Sequence, residues 1–368
     1  MPNQSKTIVI AGGSAGVGRA IAEHFARDGH NLVLIARGKE RLDNAERDLT
    51  DYGVKVLTIG ADVADAQAMT SARDQIVERF GAIDIWINCA MATVFGPFKD
   101  ISAAEFNRVI DVTFMGQVNG ARVALEHFRE RGEGHLVSVG SGLAHRSVPL
   151  QSAYCAAKAA TESFMSSVRS ELIHQGFEDI HISQIQLPAI NTPQFDWARS
   201  KLDRRPRPAA PVYQPSVAAR AIAKAVVEKN RELLVGSAVL QLVFGNAVAP
   251  DYLDHKLAEA GWDGQHSQDP QAADNVGNLM EPATGDWAAH GTYGDEATDN
   301  GIIVDSDIAR KAVFIGLPAV AAVAAFAAGL FAGSRSAAND DGFTEIGEQS
   351  YDEIEADHRQ AARKRLSS

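Results

Sequence analysis

Lys6-Thr-Ile-Val-Ile-Ala11, followed by Gly12-Gly-Ser14-Ala-Gly16-Val17-Gly18, is the stretch on which the fold turns. The first six residues form a short, apolar, β-branched run that stops at glycines. Such a run reads as a buried strand rather than a helix. Beyond the glycines, Ala20, Ile21, His24 and Phe25 recur at helical spacing through Asp28, and Gly29 ends the helix. Strand, glycine turn and helix together form the setting in which backbone approaches a pyrophosphate. Glycines leave room, and the helix start supplies N–H groups and the positive end of its dipole. Gly12, Ser14, Gly16, Val17 and Gly18 are therefore candidate dinucleotide contacts. Their spacing is G-x-x-x-G-x-G rather than the commoner G-x-G-x-x-G.

The alternation continues along the chain. Strands are expected at 31–36, 54–59, 83–88, 135–140, 180–187 and 232–235. Helices are expected at 66–80, from a capping box at Ser102 and Glu105 to about Arg129, at 152–175, and from a cap at Ser216 to about Lys229. Strands alternating with helices imply an α/β fold, a doubly wound parallel sheet of about seven strands covered on both faces. Ligands then bind beyond the C-terminal strand ends. Gly12–Gly18, Arg37, Asp62, Asn88 and Ser141 all fall at such ends. The second strand finishes at Ala36-Arg37, with no carboxylate to repel a 2′-phosphate and a guanidinium to pair with one, so NADP(H) is expected over NAD(H). The plainer reading makes Arg37 an ordinary surface residue.

Tyr154 and Lys158 stand four apart in Ser152-Ala-Tyr-Cys-Ala-Ala-Lys158, with Ser141 thirteen residues upstream. On a helix that spacing puts phenol and ammonium on one face. A fixed ammonium favours the phenolate, so the phenol pKa is expected to fall and Tyr154 to act as an acid/base. Y-x-x-x-K occurs by chance in many helices, and the glycine turn is what gives this pair weight.

Together these residues resemble the short-chain dehydrogenase/reductase family over about residues 5–240. The family's T-G-x-x-x-G-x-G turn is similar to Ala11–Gly18, its adenine-contacting Asp-Val to Asp62-Val63, and its N-N-A-G segment to Asn88-Cys89-Ala90-Met91. Its P-G-x-x-x-T segment is similar to Pro188-Ala-Ile190-Asn-Thr192. The resemblance implies a Rossmann-like fold, a Ser141–Tyr154–Lys158 triad, and cofactor contacts at Val63, Asn88, Ala90, Tyr154, Lys158, Pro188, Ile190 and Thr192. It also implies hydride transfer between NADP(H) and a carbonyl or alcohol, with Ser141 on the substrate oxygen and Lys158 on the nicotinamide ribose. A dimer or tetramer is a further expectation from the resemblance. Where the family often has an Asn that holds a relay water, this chain has Thr113, which offers one hydroxyl instead.

The 368-residue chain carries a net charge of −12, which speaks against nucleic-acid binding. Cys89 and Cys155 read as buried fillers rather than a disulfide, no Cys/His spacing suggests a metal, and no signal peptide is expected at the N-terminus. Residues 1–262 form the expected catalytic domain. Phe195 and Trp197 are candidate walls of an apolar pocket, and Lys201, Arg204, Arg205 and Arg207 make a basic cluster beside it, read either as an anion attractor or as a solvated face. Residues 263–308 hold ten acidic residues and no Lys or Arg, and read as an irregular acidic linker. The competing reading is a strap anchored by Trp262, Leu279, Met280, Trp287 and Tyr293.

Residues 312–333 are 22 in number and uncharged, long enough for one transmembrane helix, with 334–368 a charged tail. An alanine-rich helix in an oligomer interface is the alternative. On the anchor reading, the catalytic domain is cytoplasmic, the enzyme is membrane-anchored and its substrate lipophilic. Otherwise the protein is soluble in the cytoplasm. A non-catalytic NADP(H)-binding sensor or scaffold is the alternative function.

Overall fold

The structure, a computed structural model, describes residues 5–272 and 274–316. Its centre is an eight-stranded sheet. The strands are β1 (Thr7–Ala11), β2 (Asn31–Ala36), β3 (Val56–Gly60), β4 (Ile85–Asn88), β5 (Gly134–Ser141), β6 (Ile180–Leu187), β7 (Glu232–Val235) and β8 (Ile303–Asp305). Across the sheet the order is β8-β7-β6-β5-β4-β1-β2-β3. Seven strands are parallel, and β8 runs antiparallel to β7. The order reverses between β1 and β4, so the connections after these two strands diverge and leave a crevice at their C-terminal ends.

Period-two alternation decides which side chain meets which face. Ile8, Ile10, Leu32 and Leu34 point to one face and pack with Ile21 and Phe25 of helix α1 (Gly16–Arg27) and with Val217 and Ile222 of helix Pro215–Glu228. Val9, Val33 and Ile35 point to the other and meet Met69, Ile76, Val123, Phe128 and Met165. These come from helices Ala66–Phe80, Gly116–Arg131 and Ser152–His174. With both faces covered, β1 and β2 have no polar side, which is why they read as nearly unbroken apolar runs.

Caps set the helix starts. Asp65 accepts from the Gln67 and Ala68 amides, and Ser102 and Glu105 form the expected capping box. The long helix after Ser102 is interrupted: Ala103–Ile110 passes through a π-helical turn at Asp111–Met115 before Gly116–Arg131. Ser216 does not cap its helix. Gln214 occupies that position, and the Ser216 hydroxyl donates to Asp299.

Residues 263–308, open to both the linker and the strap readings, carry short strands between irregular stretches. They form β8, a strand His266–Pro270 paired with Arg204–Pro206, and a strap that buries Leu279, Ala289 and Tyr293. The physical reason is charge complementarity with a distant segment. Asp274 pairs with Arg199 and Lys201, Asp269 with Arg205, and Glu296 with Arg207. Much of the basic cluster is thus neither an anion attractor nor a solvated face, but the counter-charge of the strap.

The chain divides into a unit Met1–Arg310 and a unit Lys311–Ser368, of which only Lys311–Gly316 is described, with a π-helical turn at Ala312–Gly316. Among the described residues no helix is long and apolar enough to cross a membrane. Residues 317–333 of the expected apolar helix, and the tail 334–368, lie outside them.

Close packing at the first turn yields a direct test. A Cβ on Gly18 would lie 2.0 Å from the Gly12 carbonyl oxygen, which is backbone and has no rotamer to change. Gly18→Ala is expected to lower stability by about 3 kcal/mol or more, through displaced backbone. Urea denaturation of the purified variant checks this, and an unchanged midpoint would contradict the packing described.

Candidate active site

The site is built from the strand ends inward. After β1 the chain turns at Gly12 (φ +95°) and Gly16 (φ +57°), a backbone region that favours glycine. Helix α1 starts behind Ala15, whose extended backbone carries no side-chain cap. Its first-turn N–H groups are left for another acceptor. One of them, on Gly16, donates to the Ala288 carbonyl of the strap at 3.0 Å.

A cavity of about 600 Å³ runs from this turn along the strand ends. Gly12, Ser14, Gly16, Val17 and Gly18 form its floor, and Arg37, Asp62 and Val63 one end. Ala90, Pro188, Ile190 and Thr192 line the middle, and Ser141, Tyr154 and Lys158 the far side. Fifteen expected site residues, drawn from β1, β2, β3, β4, β5 and β6 ends and from helix Ser152–His174, thus face one space.

Two expected residues do not. Asn88 is buried, and its side chain ties β4 to the neighbouring helix: Oδ1 accepts from Trp86 Nε1 at 2.8 Å and Nδ2 donates to the Gln117 carbonyl at 3.0 Å. Thr113 is fully buried, and its hydroxyl both accepts from the Ala92 amide and donates to the Ala92 carbonyl, each at 2.9 Å. A hydroxyl with its proton committed there has little left for a relay water. Thr113 fixes the segment after β4 and does not line the cavity.

The electrostatics also differ from expectation. Burial raises the Tyr154 phenol above its ordinary value, against a smaller lowering by the Ser141 hydroxyl as hydrogen-bond partner. The ammonium of Lys158 lies 5.6 Å from the Tyr154 ring centroid and donates to the Val139 carbonyl at 2.6 Å. Burial lowers Lys158 itself to about 8. Desolvation therefore outweighs the attraction between the pair, because both charged forms leave water at once. Cys89, on the same wall, is pushed up to about 12 by burial and stays a thiol.

Several functional side chains carried no recognised sequence signal. Arg41, buried on helix Lys39–Thr50, lines the cavity, and its guanidinium lies 5.0 Å from the Trp197 ring centroid. Arg41 stands four residues after Arg37, in the first turn of the helix that follows β2, and that proximity was the available clue. Ser141 is placed by a buried chain. Its amide donates to Gln186 Oε1 at 2.9 Å, and Gln186 Nε2 donates to Glu232 Oε1 at 2.9 Å. His145 and Glu162 converge on Glu232 as well, but Arg231 and Arg310 already supply its positive charge. The substrate side is walled by Leu143, Val148, Val239, Leu242, Leu253 and Leu257. Of these, Val239 and Leu242 come from helix Gly236–Val248, and Leu253 and Leu257 from helix Pro250–Asp263.

Comparison with known proteins bears on the family. The family model for short chain dehydrogenases matches residues 6–203. The chain is 29% identical over 329 residues to the uncharacterized oxidoreductase YxnA of Bacillus subtilis, covering 87% of this chain and 90% of that protein. A short-chain dehydrogenase from Streptomyces avermitilis superposes with a TM-score of 0.59 at 25% identity, over 72% of this chain and 98% of the other. An alcohol dehydrogenase from the archaeon Thermococcus sibiricus, solved with 5-hydroxy-NADP, gives 0.53 at 26% identity, over 63% and 96%.

The corrected role of Asn88 is testable. Asn88→Ala leaves the Trp86 N–H and the Gln117 carbonyl without their partner, which costs about 2–3 kcal/mol. The melting temperature is expected to fall while dinucleotide affinity, measured by titration below that temperature, stays as in the parent chain.

Proposed function

We infer the chemistry from one premise: the chain belongs to the short-chain dehydrogenase family. It is an oxidoreductase, and proteins of this family bind NAD(P) and act on small molecules. Within that frame, it transfers a hydride between NADP(H) and a carbonyl or alcohol carried on an apolar body. The observation that carries this reading is the convergence of Ser141, Tyr154 and Lys158 on the cavity that the glycine turn floors.

The residues fit the dinucleotide at both ends. The uncapped start of α1 suits a pyrophosphate. At the adenosine end, among the described residues, Arg41 Nε is buried without a hydrogen-bond partner and Arg37 donates only to carbonyl oxygens. Unspent donors on two cations favour the 2′-phosphate of NADP(H) over the bare hydroxyl of NAD(H). When bound, the dinucleotide supplies the hydride.

The chain's own residues handle the proton. In the reducing direction Tyr154 gives its phenolic proton to the substrate oxygen, and Ser141 Oγ donates a hydrogen bond to the same oxygen. The raised phenol pKa keeps Tyr154 protonated through neutral pH, which suits an acid. Lys158, charged below about 8, stabilises the phenolate left behind and holds the nicotinamide ribose. Leu143, Val148, Leu242 and Leu257 surround the reacting end with apolar surface, which favours ketones or aldehydes with hydrocarbon bodies.

Tyr154→Phe is expected to reduce kcat by about 10²–10⁴-fold while leaving NADPH affinity in place. Near-parental turnover in that variant would end the proposed mechanism. The pH profile gives a second check. Lys158 carries charge below its folded pKa and loses it above, so reduction is expected to be level through neutral pH and to decline above about 8. A kcat/KM for reduction that climbs from pH 8 to 10 would contradict the role given to Lys158.

A further inference from the structure

The strap crosses the mouth of the cavity at the adenosine end. Asn278, Leu279 and Met280 turn three successive carbonyl oxygens onto Arg37, at 2.8 Å to Nη2 and at 3.3 and 2.8 Å to Nη1. Three residues on, the Ala283 carbonyl accepts from Arg41 Nη1. The strap is well anchored on either side. Leu279 is 1% exposed, the Asn278 amide donates to the Trp197 carbonyl at 2.9 Å, Asn44 donates to Asp286 at 2.8 Å, and Thr292 donates to Asp196 at 2.7 Å. Trp287 sets its ring edge-on to Trp197 at 5.4 Å, and Trp197 in turn stacks under Arg41.

We propose that this strap is part of the cofactor site: its backbone carbonyls hold Arg37 and Arg41 as a receptor for the ribose 2′-phosphate, so that choice between NADP(H) and NAD(H) depends on residues 278–283 as well as on the nucleotide-binding core. The proposal rests on the NADP(H) reading above and adds to it the residues that make the preference.

The physical argument is about charge that is held but not cancelled. A guanidinium has five N–H donors. Arg37 spends three hydrogen bonds on the strap and Arg41 one, while Arg41 Nε is unpartnered among the described residues. Carbonyls fix orientation and leave the formal charge intact, whereas a carboxylate would neutralise it. Among the described residues neither guanidinium has a carboxylate within ion-pair distance, because Asp62, the acid at the end of β3, is taken by Arg108. Asp62 and Glu281 act on Arg37 only through space. Burial first, then mutual repulsion, disfavours the charged state of Arg41, and Arg37 is similarly opposed by burial and Arg108. Two restrained cations lacking a counter-anion form a site for a dianionic phosphate. The carbonyls could instead occupy the phosphate's place, and then the strap would compete with NADP(H). The two arrangements predict opposite effects of loosening it.

The test uses the full chain and the ratio of two affinities. Gly277 (φ +57°) lies where a Cβ would be 2.4 Å from the Ala198 carbonyl carbon and the Arg199 amide, so Gly277→Ala displaces the strap beside Asn278 from a position that does not itself line the cavity. Leu279→Ala is the milder companion should the first variant fold poorly. Dissociation constants for NADPH and for NADH are measured by fluorescence titration on both variants and the parent. The expected result is an NADPH constant raised about tenfold or more, with the NADH constant changed less than about twofold, as loss of one charge-assisted contact requires. Equal weakening of both cofactors would mean a merely structural strap, and tighter NADPH binding would mean a competing one. Either overturns the inference, as does an unchanged ratio. A parent chain that binds both cofactors equally would instead remove the NADP(H) reading, and this inference with it, before any variant is made.

Discussion

The approach of Gly18 to the Gly12 carbonyl is the constraint on which the rest of the architecture depends. An added Cβ would stand 2.0 Å from that oxygen, so helix α1 can begin where it does only with hydrogen at this position. That start aims an uncapped helix terminus at the crevice where the strand order reverses. The same sheet places Arg37 and Asp62 at one end of the cleft and Ser141 at the other, since Arg37 and Asp62 follow β2 and β3 while Ser141 ends β5, with β1 and β4 in between. A binding cleft so formed needs no dedicated loop. It results from packing helices on both faces of a parallel sheet.

Burial governs the chemistry within the cleft more than pairing does. Lys158 was expected to draw the Tyr154 phenol down, but Lys158 is buried, Tyr154 is half-buried, and desolvation disfavours the charge on each. The consequence is a site suited to proton donation near neutrality. Position is enforced from behind by the buried Glu232, whose negative charge is met by Arg310 and Arg231 and whose carboxylate orients Gln186 and, through it, Ser141. The opposite end of the cavity follows another rule. There cations are satisfied by neutral carbonyls, and their charge is kept.

Much of this was legible in the sequence because parallel sheets write themselves plainly. Asn31–Ala36 is a nearly unbroken apolar run, Ile180–Leu187 and Glu232–Val235 are β-rich runs bounded by turn residues, and the limits of all three agree with the structure. The capping box at Ser102 was equally plain. What escaped were features whose cause lies far away in the chain. β8 is three residues long and gains its place by pairing with β7. The acidic stretch looked solvated because its counter-charges, Arg199, Lys201, Arg205 and Arg207, stand 64 to 89 positions earlier in the chain. Asn88 and Thr113 show a different limit. They occupy motif positions at the strand end and in the long helix, and a motif does not reveal that their polar atoms bond to Trp86, Gln117 and Ala92.

The central claim is that this cleft turns over a carbonyl substrate at the expense of NADPH. The direct measurement is dinucleotide oxidation by the purified full-length chain, NADPH against NADH, across ketones and aldehydes graded from small and water-soluble to long and apolar. The account predicts turnover that favours NADPH and improves with apolar surface on the substrate. Tight NADPH binding with no oxidation across the whole series would contradict it, and would make the protein a sensor of the dinucleotide rather than a reductase.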